Sequence, residues 1–420
     1  PDGVVGPYRE KEGSFFTIRE IWSPLQIDPF IVTPTFNGQI LVSNHYLYTN
    51  LQDCQLSYKL LNVPGPWCAQ KEMGVIATGS VKLPSIEPGE KRKVFLDLPD
   101  DFNRADILAI TATDRFGKEM YTWTYPVHSA REYLHANLGK TNTEEKASIV
   151  EKEGLLRLSG KGTEISFNPA SGMIEKIESP KGFIPLNNGP VPVGMKAEAF
   201  KYATRQEGNN AILTFWYRGG IDSIRWEMDP AGRLKMTMIA LKEARNDGGF
   251  DGGFIANQIE HWGITFDYNE DGVAGMRWYG KGPYRVWKNR MKGTTYGLWD
   301  KPYNNTITGE SFENLVYPEF KGYHANIYWA SLYSKDNNLF TVASESDGLF
   351  LRLFTPEEPK GSLKPSLPVF PAGDLSFLYE INPIHAFKAV EDMGPQSAPG
   401  SIRIKKGDEG ISMILWFDFN

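Results

Sequence analysis

The chain has 420 residues, 41% of them hydrophobic and 13% aromatic, which is ample for buried cores and excludes a disordered chain. The formal net charge is −6 and the basic residues are scattered, with only short clusters such as Lys91-Arg92-Lys93, so a nucleic-acid partner is excluded. No apolar run approaches the roughly 20 residues of a membrane-spanning helix, which leaves no membrane partner, and length alone argues for two or three domains.

The first residue is Pro1 and no signal peptide opens the sequence, so it reads as an excised fragment whose start says nothing about export. Residues 14–22 repeat Phe15, Ile18 and Trp22 at helical spacing, with Ser14 as a cap and Pro24 as a stop. A lone amphipathic helix must bury that stripe, so these three are expected to pack on a neighbouring domain or to be poorly ordered.

Residues 25–127 read as β throughout. Gly38–Thr49 alternates, and Gln55–Leu61, Lys91–Leu98, Asp106–Thr113 and Met120–Val127 follow at sandwich spacing with Gly, Pro and Asn between them. The size and strand count fit an immunoglobulin-like sandwich in architecture. Cys54 and Cys68 flank the Val63-Pro64-Gly65-Pro66-Trp67 loop; a disulfide and two free thiols are both open. Residues 128–147 are polar and read as a linker with at most one helical turn.

Residues 148–420 are again nearly all strand. So many strands exceed a simple sandwich, and a large two-sheet supersandwich is expected; no fixed-period repeat favours a propeller. The fold class is therefore all-β. The six histidines lie far apart and no Cys/His spacing fits zinc, so neither metal nor cofactor is expected. Asp247–Gly253 lacks the ligand spacing of a calcium loop and reads as a hairpin loop. Residues 360–368 read as an extended surface loop, and Trp416 and Phe417 as core or sheet-edge residues.

The most informative run is Trp278-Tyr279-Gly280-Lys281-Gly282-Pro283-Tyr284-Arg285-Val286-Trp287-Lys288-Asn289-Arg290. It follows the alternating strand Val273–Tyr279. Pro283 has no N–H to donate and stops the ladder, so the residues after it sit on a rim loop. Flat rings and fork-shaped donors suit a sugar, and equally they cap ordinary sandwiches. The candidates for carbohydrate contact are Trp278, Tyr279, Tyr284, Arg285, Trp287 and Arg290, with Arg290 the most structural.

This run resembles the W-x-G-x-G-P-x-x-x-Y/W-x-D/N-R stretch in the C-terminal domain of β-galactosidases of glycoside hydrolase family 2, and Tyr296-Gly297-Leu298-Trp299-Asp300 with Tyr303 fits the next part of that pattern. It departs from the family at Arg285, where an acidic residue is usual. The Arg-Ala-Pro-x-Asp-Asn-Asp stretch appears only as Gly189-Pro190-Val191-Pro192-Val193-Gly194, and no tryptophan between Tyr379 and Trp416 matches the one that in some members reaches the sugar.

The resemblance implies four segments: 1–24 as the last part of a (β/α)8 barrel, 25–127 as the immunoglobulin-like sandwich, 128–147 as the linker, and 148–420 as a galactose-mutarotase-like supersandwich. It implies a retaining exo-glycosidase, β-galactosidase-like, acting on terminal sugars of oligo- or polysaccharides. Such enzymes need two carboxyls roughly 5–5.5 Å apart. In the family these are barrel glutamates, so no catalytic residue is assigned to this chain and it is expected to be inactive alone. Its partners would be the missing catalytic barrel and, through it, a carbohydrate substrate; a homo-oligomer is open, and so is a periplasmic or cytoplasmic compartment. The alternatives are a stand-alone carbohydrate-binding or interaction module and, less favoured, an aldose-epimerase-type enzyme using Glu260, His261 and His324, with Glu319 nearby in sequence.

Overall fold

The computed structural model describes residues 4–5, 9, 11, 13–68, 70–139, 145–240, 254–259, 261–303, 320–335, 339–356, 369–384, 400–404 and 411–420, with the backbone alone at 254–259, 339 and 400–404. Alternation of apolar and polar residues builds nearly all of this into antiparallel sheet. Strand Arg233–Ala240 is the plainest case: Leu234, Met236, Met238 and Ala240 are fully buried and the residues between them are not. The two α-helices among the described residues are Gly13–Ile21 and Ala130–Asn137. The all-β class read from the sequence holds.

The chain divides into two compact units. One holds residues 1–133, 279–284 and 291–299; the other holds 134–278, 285–290 and 300–420.

The first unit contains a three-stranded sheet in the order Leu25–Ile27, Gln39–Asn44, Lys91–Phe95 and a four-stranded sheet in the order Gly74–Lys82, Gln55–Asn62, Ile107–Thr113, Glu119–Pro126. Their inward residues share one core, with Val42 and Val94 from one sheet and Leu56, Leu60, Leu108 and Ile110 from the other. Cys54 is buried, Cys68 is exposed, and neither is in a disulfide.

Helix Gly13–Ile21 forms close to where the spacing places it, but its buried face is not the expected one. Trp22, just past the helix, is 76% exposed and Ser14 lies inside the helix, whereas the residue it buries is Glu20. The Glu20 carboxylate accepts hydrogen bonds from Gly293 N at 2.6 Å, Lys292 Nζ at 2.7 Å and Tyr121 OH at 3.2 Å. A triply bonded carboxylate can be buried where a lone one cannot. The segment that supplies two of those donors approaches so closely that a Cβ on Gly293, at φ +86°, would lie 2.5 Å from Thr17 N.

In the second unit a ten-stranded sheet runs from Gly322–His324 through Phe350–Leu353, Leu375–Glu380, Trp262–Tyr268 and Leu186–Val193 to Ser148–Lys152. A nine-stranded sheet contains Arg233–Ala240, Ser412–Asp418, Leu339–Ser344, Trp329–Ser334 and Val273–Gly282 as successive neighbours. Phe417 is buried in the middle of that second sheet, not at its edge, and Phe266 and Phe377 of the first sheet meet it at ring distances of 6.0 and 6.1 Å. One face of the ten-stranded sheet is thus committed to the core between the sheets.

Candidate functional site

The run around Gly282-Pro283 leaves the sheet where the proline predicts: strand Val273–Gly282 ends there, and the Gly282–Pro283 bond is cis. Its rings, however, are not displayed. Trp278 is fully buried with its ring 5.0 Å from that of His324. Tyr279, 1% exposed, sits 4.9 Å from the ring of Tyr133. Tyr284 is buried against Phe16 at 4.9 Å. Trp287 is buried between Tyr323, at 5.5 Å, and Phe370, at 5.4 Å. Aromatic side chains next to a turn gain more by removing their area from water than by waiting for a sugar.

Among the cationic residues after the turn, the candidate Arg285 is half-buried and reaches Lys321 O at 3.4 Å. Lys288 pairs with Glu380 at 2.7 Å. Arg290 was expected to tie the loop down, and it does not: its side chain is exposed and makes no hydrogen bond or ion pair among the described residues. That task falls to Asn289, which the sequence did not single out. Its Nδ2 donates to Ile384 O at 2.9 Å and its Oδ1 accepts from Ile384 N at 3.0 Å. A short amide can satisfy both groups of one peptide, which a long arginine on an exposed loop does only at an entropic cost.

Of the epimerase-type candidates, the two described ones, His261 and His324, do not come together. Glu260 and Glu319 lie outside the described residues, as do Asp247–Gly253 and residues 360–368. His324 is fully buried on the core side of the ten-stranded sheet and donates from Nε2 to Phe320 O at 2.9 Å. His261 instead meets Tyr323 OH at 2.8 Å. Tyr323 and His324 are adjacent on one strand, so their side chains take opposite faces. Burial holds both imidazoles neutral, each pushed down to about 4; at His261 the Asn382 side chain partly offsets this and Arg352 adds to it, and at His324 the Phe320 carbonyl offsets it.

A polar row with no local signature in the residue order crosses the other face of that sheet. Strand register sets Thr265 beside Ser376, Ser376 beside Arg352, and Arg352 beside Tyr323. Thr265 Oγ1 and Ser376 Oγ are 2.9 Å apart. Arg352 is fully buried; Nη2 donates to Thr355 Oγ1 at 2.6 Å, Nη1 donates to Gly373 O, and Nε has no partner. The Phe370 ring lies over the guanidinium at 5.8 Å and stacks on Tyr323 at 5.0 Å. Asn382 is buried, with Nδ2 donating to Val369 O at 3.2 Å and Oδ1 in no hydrogen bond. The half-buried His261 and the buried Tyr323, Arg352 and Asn382 therefore form one polar cluster, roofed by Phe370 and flanked by Trp287. Among the described residues no cluster of His, Cys, Asp and Glu has metal-ligating geometry.

An all-β sandwich of this size with an internal Gly-Pro turn has a counterpart among known families. Residues 188–354 match the family model described as beta galactosidase small chain, a stretch that takes in the run around Gly282-Pro283 together with Tyr323, His324 and Arg352. This supports a β-galactosidase-like C-terminal region over less than half of the chain. No curated protein matches the sequence.

Proposed function

We propose that the chain is the non-catalytic C-terminal region of a β-galactosidase-like retaining exo-glycosidase and acts in association with a separate catalytic (β/α)8 barrel. The observation that carries this is the coincidence of the small-chain match at residues 188–354 with the aromatic Gly-Pro run inside it. The immunoglobulin-like nature of residues 25–127 and the mutarotase-like nature of residues 148–420 belong to the same proposal.

The engagement of three acids of the second unit in ion pairs agrees with it. Retaining hydrolysis needs a nucleophile and an acid/base carboxyl facing each other. In the second unit Glu270 is taken by Lys321 and Tyr303, Glu345 by Trp416, Lys235 and His135, and Glu380 by Lys288. In this reading the rings of the run hold the loop by packing, and Arg290, exposed and without a side-chain partner among the described residues, is the member of the six that meets substrate or the catalytic polypeptide.

The test is activity. The purified chain should not turn over nitrophenyl glycosides, and adding the catalytic polypeptide should restore turnover. Hydrolysis by the chain alone, abolished by a substitution within it, would sink the proposal.

A further inference from the structure

We propose that the face of the ten-stranded sheet turned away from the core carries a binding site for a monosaccharide carboxylate, a uronic acid, in which Arg352 meets the carboxylate, Asn382 and His261 meet hydroxyls, and Trp287 meets the C–H face of the ring once the ligand has displaced Phe370. Ile264, Phe266 and Phe377 alternate onto the core side of this sheet, so Thr265, Ser376, Arg352 and Tyr323 face away from it.

The guanidinium is the anomaly that points to an anion. A buried cation is normally matched by a carboxylate, because taking the charge out of water is costly. Lys321, buried in the same unit, obeys this: Glu270 lies 2.9 Å from its Nζ. Arg352 has no carboxylate at ion-pair distance among the described residues. Asp374 favours its charge only through space, and one guanidinium N–H is left unused. The two neutral acceptors it does have, Gly373 O and Thr355 Oγ1, fix its plane without discharging it. A carboxylate would supply both the charge and the missing acceptor.

The neighbours say what else the ligand carries. Asn382 Oδ1 makes no hydrogen bond of good geometry, although it lies near enough to His261 to favour the protonated imidazole, and it can accept from a hydroxyl, which a bare inorganic anion does not offer. His261 holds Tyr323 OH through Nε2 at 2.8 Å, and its other ring nitrogen can meet a hydroxyl. The Trp287 ring stands at the same place, 5.5 Å from that of Tyr323. A hydroxylated ring bearing a carboxylate satisfies all of these groups together. Phe370 now lies over the guanidinium, next to Val369, which is 80% exposed, so a ligand reaching Nε takes the place of this ring.

Calorimetric titration of the purified chain with galacturonate, and with galactose as the neutral arm, tests the site. Galacturonate should bind saturably and galactose at least about tenfold more weakly, and Arg352→Gln should lose at least about tenfold in galacturonate affinity. Phe370→Ala keeps every polar group and should bind galacturonate more tightly than the parent chain; it decides the matter if Arg352→Gln does not fold. No saturable galacturonate binding by the parent chain and by Phe370→Ala up to about 10 mM overturns the proposal. So does galactose binding as tightly as galacturonate, or undiminished binding by folded Arg352→Gln. The inference does not depend on the glycosidase reading, since sugar-acid binding and glycoside turnover are separate measurements.

Discussion

Glu20 in the first unit and Arg352 in the second are both buried charges, and they are met in opposite ways. Glu20 has three donors, one of them a lysine. Arg352 has two neutral acceptors, a ring and an unused N–H. The first is a clamp: it fastens helix Gly13–Ile21 to the segment at Lys292 and Gly293, and its chemistry is complete. The second has chemistry to spare. Burial alone does not separate a structural charge from one awaiting a ligand; the count of satisfied bonds does.

Titration draws the contrast most strongly. His261 and His324 have folded-state values near 4, below the usual 6.5 of an exposed imidazole. As pH falls from 6.5 towards 4 the unfolded chain takes up protons that the folded second unit refuses. The stability these groups contribute is thus fully present above pH 6.5 and lost towards pH 4, up to about 3 kcal/mol for each histidine. Asp106 in the first unit has the opposite sign. Burial raises its carboxyl, with the Val63 N–H only partly offsetting this, so acid adds stability there and rising pH removes it. Hydrogen exchange at pH 7 and pH 4.5 should show amides of the second unit losing more protection than those of the first. Equal loss would break the comparison.

Trp287 provides the next largest effect. Its ring is wedged between Tyr323 and Phe370, so Trp287→Ala should cost about 3–5 kcal/mol in urea unfolding. A loss below about 1 kcal/mol would mean that the ring is a displayed contact surface after all. Glu20→Ala should cost about 2–3 kcal/mol, because Gly293 N and Tyr121 OH lose a charged acceptor. Arg352→Met should change stability by no more than about 1 kcal/mol, since losing two hydrogen bonds is offset by removing an unpaired buried charge. A cost at Arg352 equal to that at Glu20 would make both of them clamps.

Much of this was legible in the sequence and some was not, for physical reasons. Period-two alternation is local, so strands such as Ile221–Met228 and Arg233–Ala240 could be read directly. The second helix was underread as a single turn, although Ser129 and Glu132 carry its signal. Ser129 Oγ accepts from Glu132 N at 3.2 Å and Glu132 Oε2 accepts from Ser129 N at 2.9 Å, a reciprocal cap written as S-x-x-E. The buried face of the first helix could not be read, because the lysine that meets Glu20 is 272 residues away. The polar row was equally hidden. Thr265, Tyr323, Arg352 and Ser376 lie far apart in sequence, and only the strand order brings them side by side.

The smallest effects separate two neighbours in the run, Asn289 and Arg290. The sequence favoured the arginine as the tie, on the reasoning that a guanidinium can bind two carbonyls at once. In the fold it is the amide of Asn289 that reaches both groups of Ile384, at 2.9 and 3.0 Å, while Arg290 keeps only its backbone bond to Trp287 O. Asn289→Ala leaves a peptide N–H and a C=O without partners and should cost about 1–2 kcal/mol. Arg290→Ala should stay within about 0.5 kcal/mol of the parent chain, as expected for an exposed side chain that makes no hydrogen bond or ion pair among the described residues. If Arg290 is instead the member of the run that serves the catalytic partner, the same substitution should weaken turnover of the assembled enzyme while leaving the unfolding curve unmoved. An Arg290→Ala chain that loses stability and keeps full turnover would return the arginine to the structural role the sequence first gave it.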